Sequence, residues 1–437
     1  MKYPPYYISR RTRIGIMILL ISAFFIISPL TIFYVAGYNY DWDTGKIITT
    51  GVLSVDIEPV DAKIYINDVL MERKTQISLT HLKKIEAPVR LTSLKKGIYN
   101  VRIEKEGYHT WEKDMTVLDN QTTYVSEMTL PERHDPETLL TDIEQPQISP
   151  TGQYIAYVKD DILHISNIET PLDPLYTATS SMMMEWSPYD DFFIHYTTST
   201  FTLLNPASIK DVKTFDIDTI ERLQWVKGSN TPELFIEEGH TIMTLNTREK
   251  EVFSNTSSSI WYVDGNNNLW EYDEEKNVLI EDELILQPQK YDTLTDIIDI
   301  NNTRIIAKYG EKTIILHEYM KDDPLKQSII THNLKYIPSR DEWLTWSPWE
   351  LWILPEKGSA KLSMRTSEYI RDVDLLYKEG LLLVATDKRL AAFNPNPWYY
   401  TLQELLSVES VTDVMVNQKE EMIYFLTEDS SLSKLQY

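Results

Sequence analysis

The chain contains no cysteine. That absence removes disulfide frameworks, thiolate metal sites and cysteine nucleophiles together. It also removes the lipid-modified cysteine that anchors bacterial lipoproteins. Basic residues are in short supply, 42 Lys and Arg against 66 Asp and Glu, for a formal net charge of -24. No basic face is available for nucleic acid, nor a broad positive surface for anionic head groups. The acid surplus reads as a solubility feature. Motifs that carry chemistry are missing as well. There is no Gly-x-Ser-x-Gly elbow and no His-Glu-x-x-His. Gly45-Lys46 is not a phosphate loop, because Tyr40 stands where its first glycine belongs and Ile47 where it needs a hydroxyl. Asp190-Asp191 and Asp322-Asp323 lack the alternation of a calcium loop and read as solvated turns. No catalytic, cofactor-binding or metal-ligating residues are expected, and no nucleic-acid partner.

What is present begins with 437 residues, 42% of them hydrophobic. That is enough for two or three domains with real cores. From Ile14 to Ala36 no residue is charged, and as a helix this stretch spans roughly 35 Å, enough to cross a bilayer. Ser22, Ser28 and Thr31 can return their hydroxyls to the helix backbone, and Pro29 is tolerated with a kink. Lys2, Arg10, Arg11 and Arg13 precede the span, and Asp41 and Asp43 follow it. The positive-inside rule places residues 1–13 in the cytoplasm, 14–36 in the membrane and the rest outside. A cleaved signal peptide is the rival reading, but its apolar region is shorter and ends in a small-x-small site, for which only Val35-Ala36-Gly37 stands in. Tyr34, Tyr38, Tyr40 and Trp42 form an aromatic belt for the outer interface.

Residues 50–130 alternate with period two in short runs, such as Val52–Ile57, Ala62–Ile66, Ile98–Ile103 and Thr123–Met128. Turn signals at Pro59-Val60-Asp61, Asn67-Asp68, Lys96-Gly97 and Glu106-Gly107 separate them. This pattern predicts a small β-sandwich. Pro59-Val60-Asp61-Ala62, Ile64-Tyr65-Ile66-Asn67, Ala87-Pro88-Val89, Gly97-Ile98-Tyr99 and Lys105-Glu106-Gly107-Tyr108 together resemble a PEGA domain. Pro59 and Ala62 keep two of the four namesake residues, and residues 70–86 depart from the pattern as an inserted loop. The resemblance implies an extracytoplasmic sandwich of prokaryotic surface proteins, with no catalytic residues. Tyr99, Tyr108 and Trp111 then read as packing residues.

From residue 137 to 437 a unit recurs about every 38 residues, the length of a four-stranded propeller blade. Its clearest copies are Gln147–Tyr157, Glu185–Tyr196 and Thr345–Leu354, each read as strand, Ser-Pro turn, strand. Fainter copies lie at Gln224–Gly228, Trp261–Gly265, Asp299–Asn302, Leu376–Gly380 and Val416–Lys419. Eight units result, with seven as the alternative because two are irregular. The last lacks a fourth strand, and Glu137–Thr141 is placed to supply it and close the ring. The Ser149–Tyr157 turn is similar to repeats of Tol-type periplasmic propellers and of propellers attached to prolyl peptidases. That likeness speaks to fold.

The expected protein is therefore mainly β, with one N-terminal transmembrane helix, a sandwich and a propeller. Function is expected to be non-enzymatic, with the propeller held outside the membrane for a protein partner. Two alternatives stand beside it. One is binding of a cell-wall or surface polysaccharide, with Trp349 and Trp352 as the ligand platform, since exposed indoles offer flat faces to sugar rings. The other is an enzyme or metal site in the propeller funnel, for which His164, His195, His240 and His317 would have to converge. Trp346 is taken to share a unit position with Trp186 and Trp225.

Overall fold

The computed structural model describes residues 10–437, apart from 36, 43, 72–74, 78–83, 87–88, 180–182, 198, 228–232, 247–248, 276–277, 282–283, 287–293, 302–303, 318–324, 332, 378–379 and 396–400. The chain divides into two compact units, Met1–Glu132 with Asn396–Tyr399, and Arg133–Pro395 with Tyr400–Tyr437.

The first unit opens with helix α1, Arg10–Val35. Its stretch Arg10–Phe33 has a mean hydropathy of 2.6 and is long and apolar enough to cross a membrane. Apolar side chains cover every side, and Leu19 and Phe25 stand 68% and 70% exposed. A helix apolar all round needs an apolar surround. Thr31 donates its hydroxyl to the Ile27 carbonyl at 2.9 Å, so the hydroxyl is paired within the helix.

Ten strands follow: β1 (Tyr38–Asp41), β2 (Lys46–Glu58), β3 (Lys63–Ile66), β4 (Val69–Met71), β5 (Thr75–Ile77), β6 (Lys84–Glu86), β7 (Val89–Lys95), β8 (Gly97–Glu104), β9 (Trp111–Val117) and β10 (Thr122–Thr129). One sheet has β2 between β1 and β10, with β7 also on β2; the other runs β4-β3-β8-β9. Their facing sides share one core that includes Leu53, Val55, Ile64, Val101, Ile103, Trp111, Met115 and Val125. Period-two alternation produces this sandwich, because every second side chain of each strand turns to the same face. Tyr99 and Tyr108 pack against the core, as expected. Gly51 is required where the strands crowd, since a Cβ there would lie 2.3 Å from the Leu118 carbonyl oxygen. Of the segment 70–86 expected to be an inserted loop, Leu70 and Met71 instead belong to β4 and pair with β3, β5 and β6 pair as a hairpin, and residues 72–74 and 78–83 lie outside the described residues.

The second unit is a succession of four-stranded antiparallel sheets. Sheets I to VIII begin with the strands Glu144–Ile148, Met183–Trp186, Arg222–Trp225, Trp261–Val263, Asp296–Ile300, Asn333–Ile337, Ile370–Tyr377 and Val411–Asn417. Sheets I to VII each contain four consecutive strands. Sheet VIII has three and takes its fourth from Glu137–Leu140, which pairs antiparallel with Leu432–Gln436. This is the strand exchange expected from the sequence. Sheet VIII also packs on sheet I, through Met415, Tyr424 and Leu426 against Ile148, Ile155 and Tyr157. Second strands are buried on both faces, as in Tyr154–Lys159, whereas the outermost strand Pro174–Thr179 is mostly exposed. Stacking of sheets face to face demands the first pattern, and an outer rim permits the second.

One expectation is corrected. Ser149-Pro150 and Ser187-Pro188 lie between the first and second strands of sheets I and II, but Ser347-Pro348 lies between the second and third strands of sheet VI. Trp346 therefore sits on a second strand, unlike Trp186 and Trp225 on first strands. In sheet VI the motif stands one strand later than in sheets I and II. A Ser-Pro turn closes any antiparallel hairpin, because Ser caps the turn and Pro needs no amide partner. It does not number the strands.

Candidate binding site in the propeller channel

First strands line the channel, and their side chains tie each sheet to the next. Gln147 Nε2 donates to the Met184 carbonyl at 3.0 Å. Trp225 Nε1 donates to Glu185 Oε1 at 3.1 Å. Gln224 donates to the Val263 carbonyl at 2.7 Å and accepts from its amide at 2.8 Å, so one amide side chain replaces a missing ladder partner. Burial pushes the Glu185 carboxyl up, against the pull of the Trp225 N–H.

The channel is pinched. Tyr189 of sheet II meets Tyr336 of sheet VI edge to face, with centroids 5.2 Å apart. Lys227 of sheet III reaches Asp341 of sheet VI at 2.6 Å and lies 4.5 Å over the Tyr336 ring. The Tyr336 hydroxyl donates to the same Asp341 oxygen at 2.7 Å. Asp341 is held below the usual carboxylate range: burial opposes this, and the bonds from Lys227 and Tyr336 outweigh it. To one side lies a cavity of about 330 Å³ bounded by sheets III, IV and V. To the other lies one of about 620 Å³, walled by turns of sheets I, II, VI, VII and VIII.

The larger cavity has an apolar wall that includes Pro150, Trp186, Pro188, Ile337 and Met415, and a polar rim of Gln153, Asn417, Gln418 and Lys419. Lys335 and Asp374 reach its lining. Lys335 Nζ donates to the Val414 carbonyl at 2.8 Å and lies 3.5 Å from Asp372 and 3.7 Å from Asp374. Asp372 accepts from the amides of Val373 and Val414, both at 2.8 Å. Asp374 accepts from Leu375 at 2.7 Å and Val416 at 2.9 Å. The two carboxylates thus clamp the first strand of sheet VII to that of sheet VIII. Burial disfavours the Lys335 ammonium, but Asp372, Asp374 and Asp413 outweigh it and raise its pKa. Burial raises Asp374, against the opposing pull of Lys335 and two backbone amides. Asp413 is raised well above its ordinary value, first by burial and then by the charge of Asp372.

Nothing in the sequence reading singled out this cluster. Its signal was available: Lys335, Asp372, Asp374 and Asp413 are charges inside strands that otherwise alternate apolar residues.

The residues that were singled out lie elsewhere. Trp349, in the second turn of sheet VI, is 51% exposed and meets Tyr369 edge to face at 5.8 Å. Trp352, on the third strand, is half-buried against Trp343 and Leu354 and donates its indole N–H to Glu350 at 3.2 Å. His195 lies on a second strand, buried, 3.0 Å from the Tyr176 hydroxyl, and burial brings its pKa down to about 4. His164 stacks on Tyr157 at 5.1 Å, and His317 is on the third strand of sheet V. His240 occupies an exposed hairpin turn. His164, His195 and His240 thus lie apart from one another, and the side chain of His317 is outside the described residues. His240 instead comes together with Glu221 and Glu237 of its own sheet, ligand atoms within 4.8 Å of one another. Glu237 already accepts the Trp261 indole N–H at 2.6 Å.

An apolar helix, a small sandwich and a ring of four-stranded sheets define a mainly-β chain of propeller type. Residues 50–133 match the family model of the PEGA domain, in agreement with the resemblance carried by Pro59, Ala62 and Lys105–Tyr108. No curated protein sequence matches the chain. Among solved structures it is similar to the β-propeller domain of Cps50 (Swd1) from Myceliophteria thermophila, at 10% identity and a TM-score of 0.42, covering 69% of this chain and 100% of that one.

Proposed function

We propose that this chain is a non-enzymatic cell-envelope protein. α1 anchors it, with residues 1–13 cytoplasmic and both β units outside, and the eight sheets act as the blades of a propeller that binds a protein partner. The observation that carries the reading is the 620 Å³ cavity, with its apolar wall and its rim of amides and one lysine. That composition suits a side chain anchored in a desolvated pocket and ringed by polar contacts. The carboxylate in its lining, Asp374, supports binding over catalysis, because both of its oxygens accept backbone amides.

The test is capture of envelope proteins by the detergent-solubilised full chain, comparing wild type with Gln153→Arg/Gln418→Arg, which fills the rim. The expected result is a discrete partner that the double variant loses while its melting is unchanged. Equal capture by both would remove the cavity from the reading. Polysaccharide binding has one observation of its own, the exposed Trp349 ring beside Tyr369. Cosedimentation with purified cell-wall polymer distinguishes it.

A further inference from the structure

The hairpin β1–β2 has two unlike faces. In its ladder Tyr38 stands opposite Thr49, and Tyr40 opposite Ile47. Residues opposite each other in an antiparallel pair share a face, so Tyr38, Tyr40 and Ile47 lie together. They are 39%, 47% and 63% exposed, and Trp42 just beyond them is 88% exposed. The Tyr40 and Trp42 rings meet at 4.8 Å. On the other face Asp41 is buried, bound to Lys95 Nζ at 3.0 Å and to the Thr44 hydroxyl at 2.8 Å. In a chain of net charge -24, this patch presents three aromatic rings and an isoleucine and, among the described residues, no carboxylate.

Two further facts say what covers it. The patch begins three residues after α1 ends, a reach of about 10 Å for extended chain. It is also continuous with the helix, because Phe33 in the last turn of α1 meets Tyr38 at 5.4 Å. The connection is constrained. The carbonyl oxygen of Gly37, a residue at φ +79°, accepts from both the amide and the hydroxyl of Thr50 at 2.8 Å. A Cβ at Gly37 would sit 2.7 Å from Asn120 Oδ1. The aromatic face is therefore carried directly on the membrane-spanning element.

We propose that this hairpin is a membrane seat: Tyr38, Tyr40, Trp42 and Ile47 lie in the head-group layer of the bilayer that α1 enters, so that the sandwich rests on the lipid surface. Tyr and Trp belong at that depth because an apolar ring carries a polar handle that stays wet. Lys46 and Lys95 flank the hairpin on its Asp41 side and are exposed, which suits a phospholipid surface. The proposal rests on the anchor reading above.

Absence of cysteine makes the test clean. A nitroxide is attached to Ile47→Cys in the full chain, reconstituted in phosphatidylcholine–phosphatidylglycerol vesicles. A second sample carries it at Tyr124→Cys, a site 56% exposed on the sandwich. Collision of each label with oxygen and with a water-soluble nickel chelate is then measured. The expected result is a label at 47 rich in oxygen and several-fold less accessible to nickel than the label at 124. Adding Tyr40→Ser and Trp42→Ser should return the label at 47 to the aqueous pattern. Equal nickel access at the two sites, with the protein still resisting carbonate extraction, overturns the seat and leaves the anchor standing. Carbonate extraction of the wild type overturns both. Spin–spin broadening at 47 between copies, with nickel access restored on dilution into empty vesicles, assigns the face to a second chain and overturns the lipid seat.

Discussion

In the sandwich, two sheets close on one continuous apolar core, from Leu53 through Ile103 to Val125. In the propeller unit each sheet meets its neighbours through smaller apolar clusters supplemented by polar links. Trp225 reaches Glu185, Gln224 grips Val263, and Asp372 and Asp374 bind the next strand's amides. The first arrangement needs only alternation. The second is directional, because a hydrogen bond to a neighbouring backbone fixes register as well as proximity. It also leaves polar groups in the channel, where a ligand could reach them.

The comparison breaks most visibly at the ring's closing strand. Replacing Glu137–Leu140 with a Gly/Ser run of equal length removes the strand partner of Leu432–Gln436 and the buried Leu140 side chain. The expected cost to the propeller unit is of order 5 kcal/mol, counting one large apolar side chain and the lost ladder bonds. Hydrogen exchange is the measurement. Amides of Leu432–Gln436 and Met422–Thr427 should lose protection while those of β8 and β9 keep theirs. Unchanged protection at 432–436 would mean the ring does not depend on this strand.

Next comes the sandwich core. Trp111 is 2% exposed, and its indole Nε1 has no hydrogen-bond partner among the described residues. Trp111→Ala should cost about 3–5 kcal/mol in chemical denaturation. Trp111→Phe should cost far less, since it fills most of the volume and removes a buried donor without an acceptor. Equal losses for the two variants would show that the indole N–H is satisfied after all.

What could be read in advance follows the same division. Alternation at Ala62–Ile66 and Ile98–Ile103 announced a sandwich because apolar burial leaves a period in the sequence. The missing fourth strand of the last repeat, and Glu137–Leu140 as its supplier, were legible by counting strands. The register of sheet VI was not, because Ser-Pro marks a turn without saying which. The Lys335–Asp372–Asp374–Asp413 cluster was also missed. Its members lie far apart in the chain, and each taken alone looks like an ordinary strand charge. Only ring geometry brings Asn333–Ile337, Ile370–Tyr377 and Val411–Asn417 together.

A smaller effect sharpens the polar side of the comparison. His195 is neutral in the fold, its pKa down to about 4, because burial disfavours the imidazolium. Unfolded, it titrates near 6.5. Between these values the unfolded chain binds a proton that the native chain does not, so stability falls as pH falls from about 6.5 to 4. The loss reaches about 3 kcal/mol by pH 4. His195→Gln should flatten that part of the stability profile measured by urea denaturation. A slope that persists in the variant would assign it to other groups.

The smallest expected effect separates two tryptophans that the sequence grouped as one platform. Trp349 is 51% exposed and touches Tyr369 at its edge, so Trp349→Ala should change stability by no more than about 0.5 kcal/mol. Trp352 packs beside Trp343 and Leu354 and bonds Glu350, so Trp352→Ala should cost about 2–3 kcal/mol, below the full price of a core indole. Denaturation of the two variants checks the difference. If it holds, a loss of polymer binding by Trp349→Ala can be assigned to the lost ring face itself, whereas the same loss in Trp352→Ala reports on the sheet beneath it. If both variants are equally stable, Trp352 is freer than its contacts with sheet VI imply, and the pair again qualifies as a joint surface.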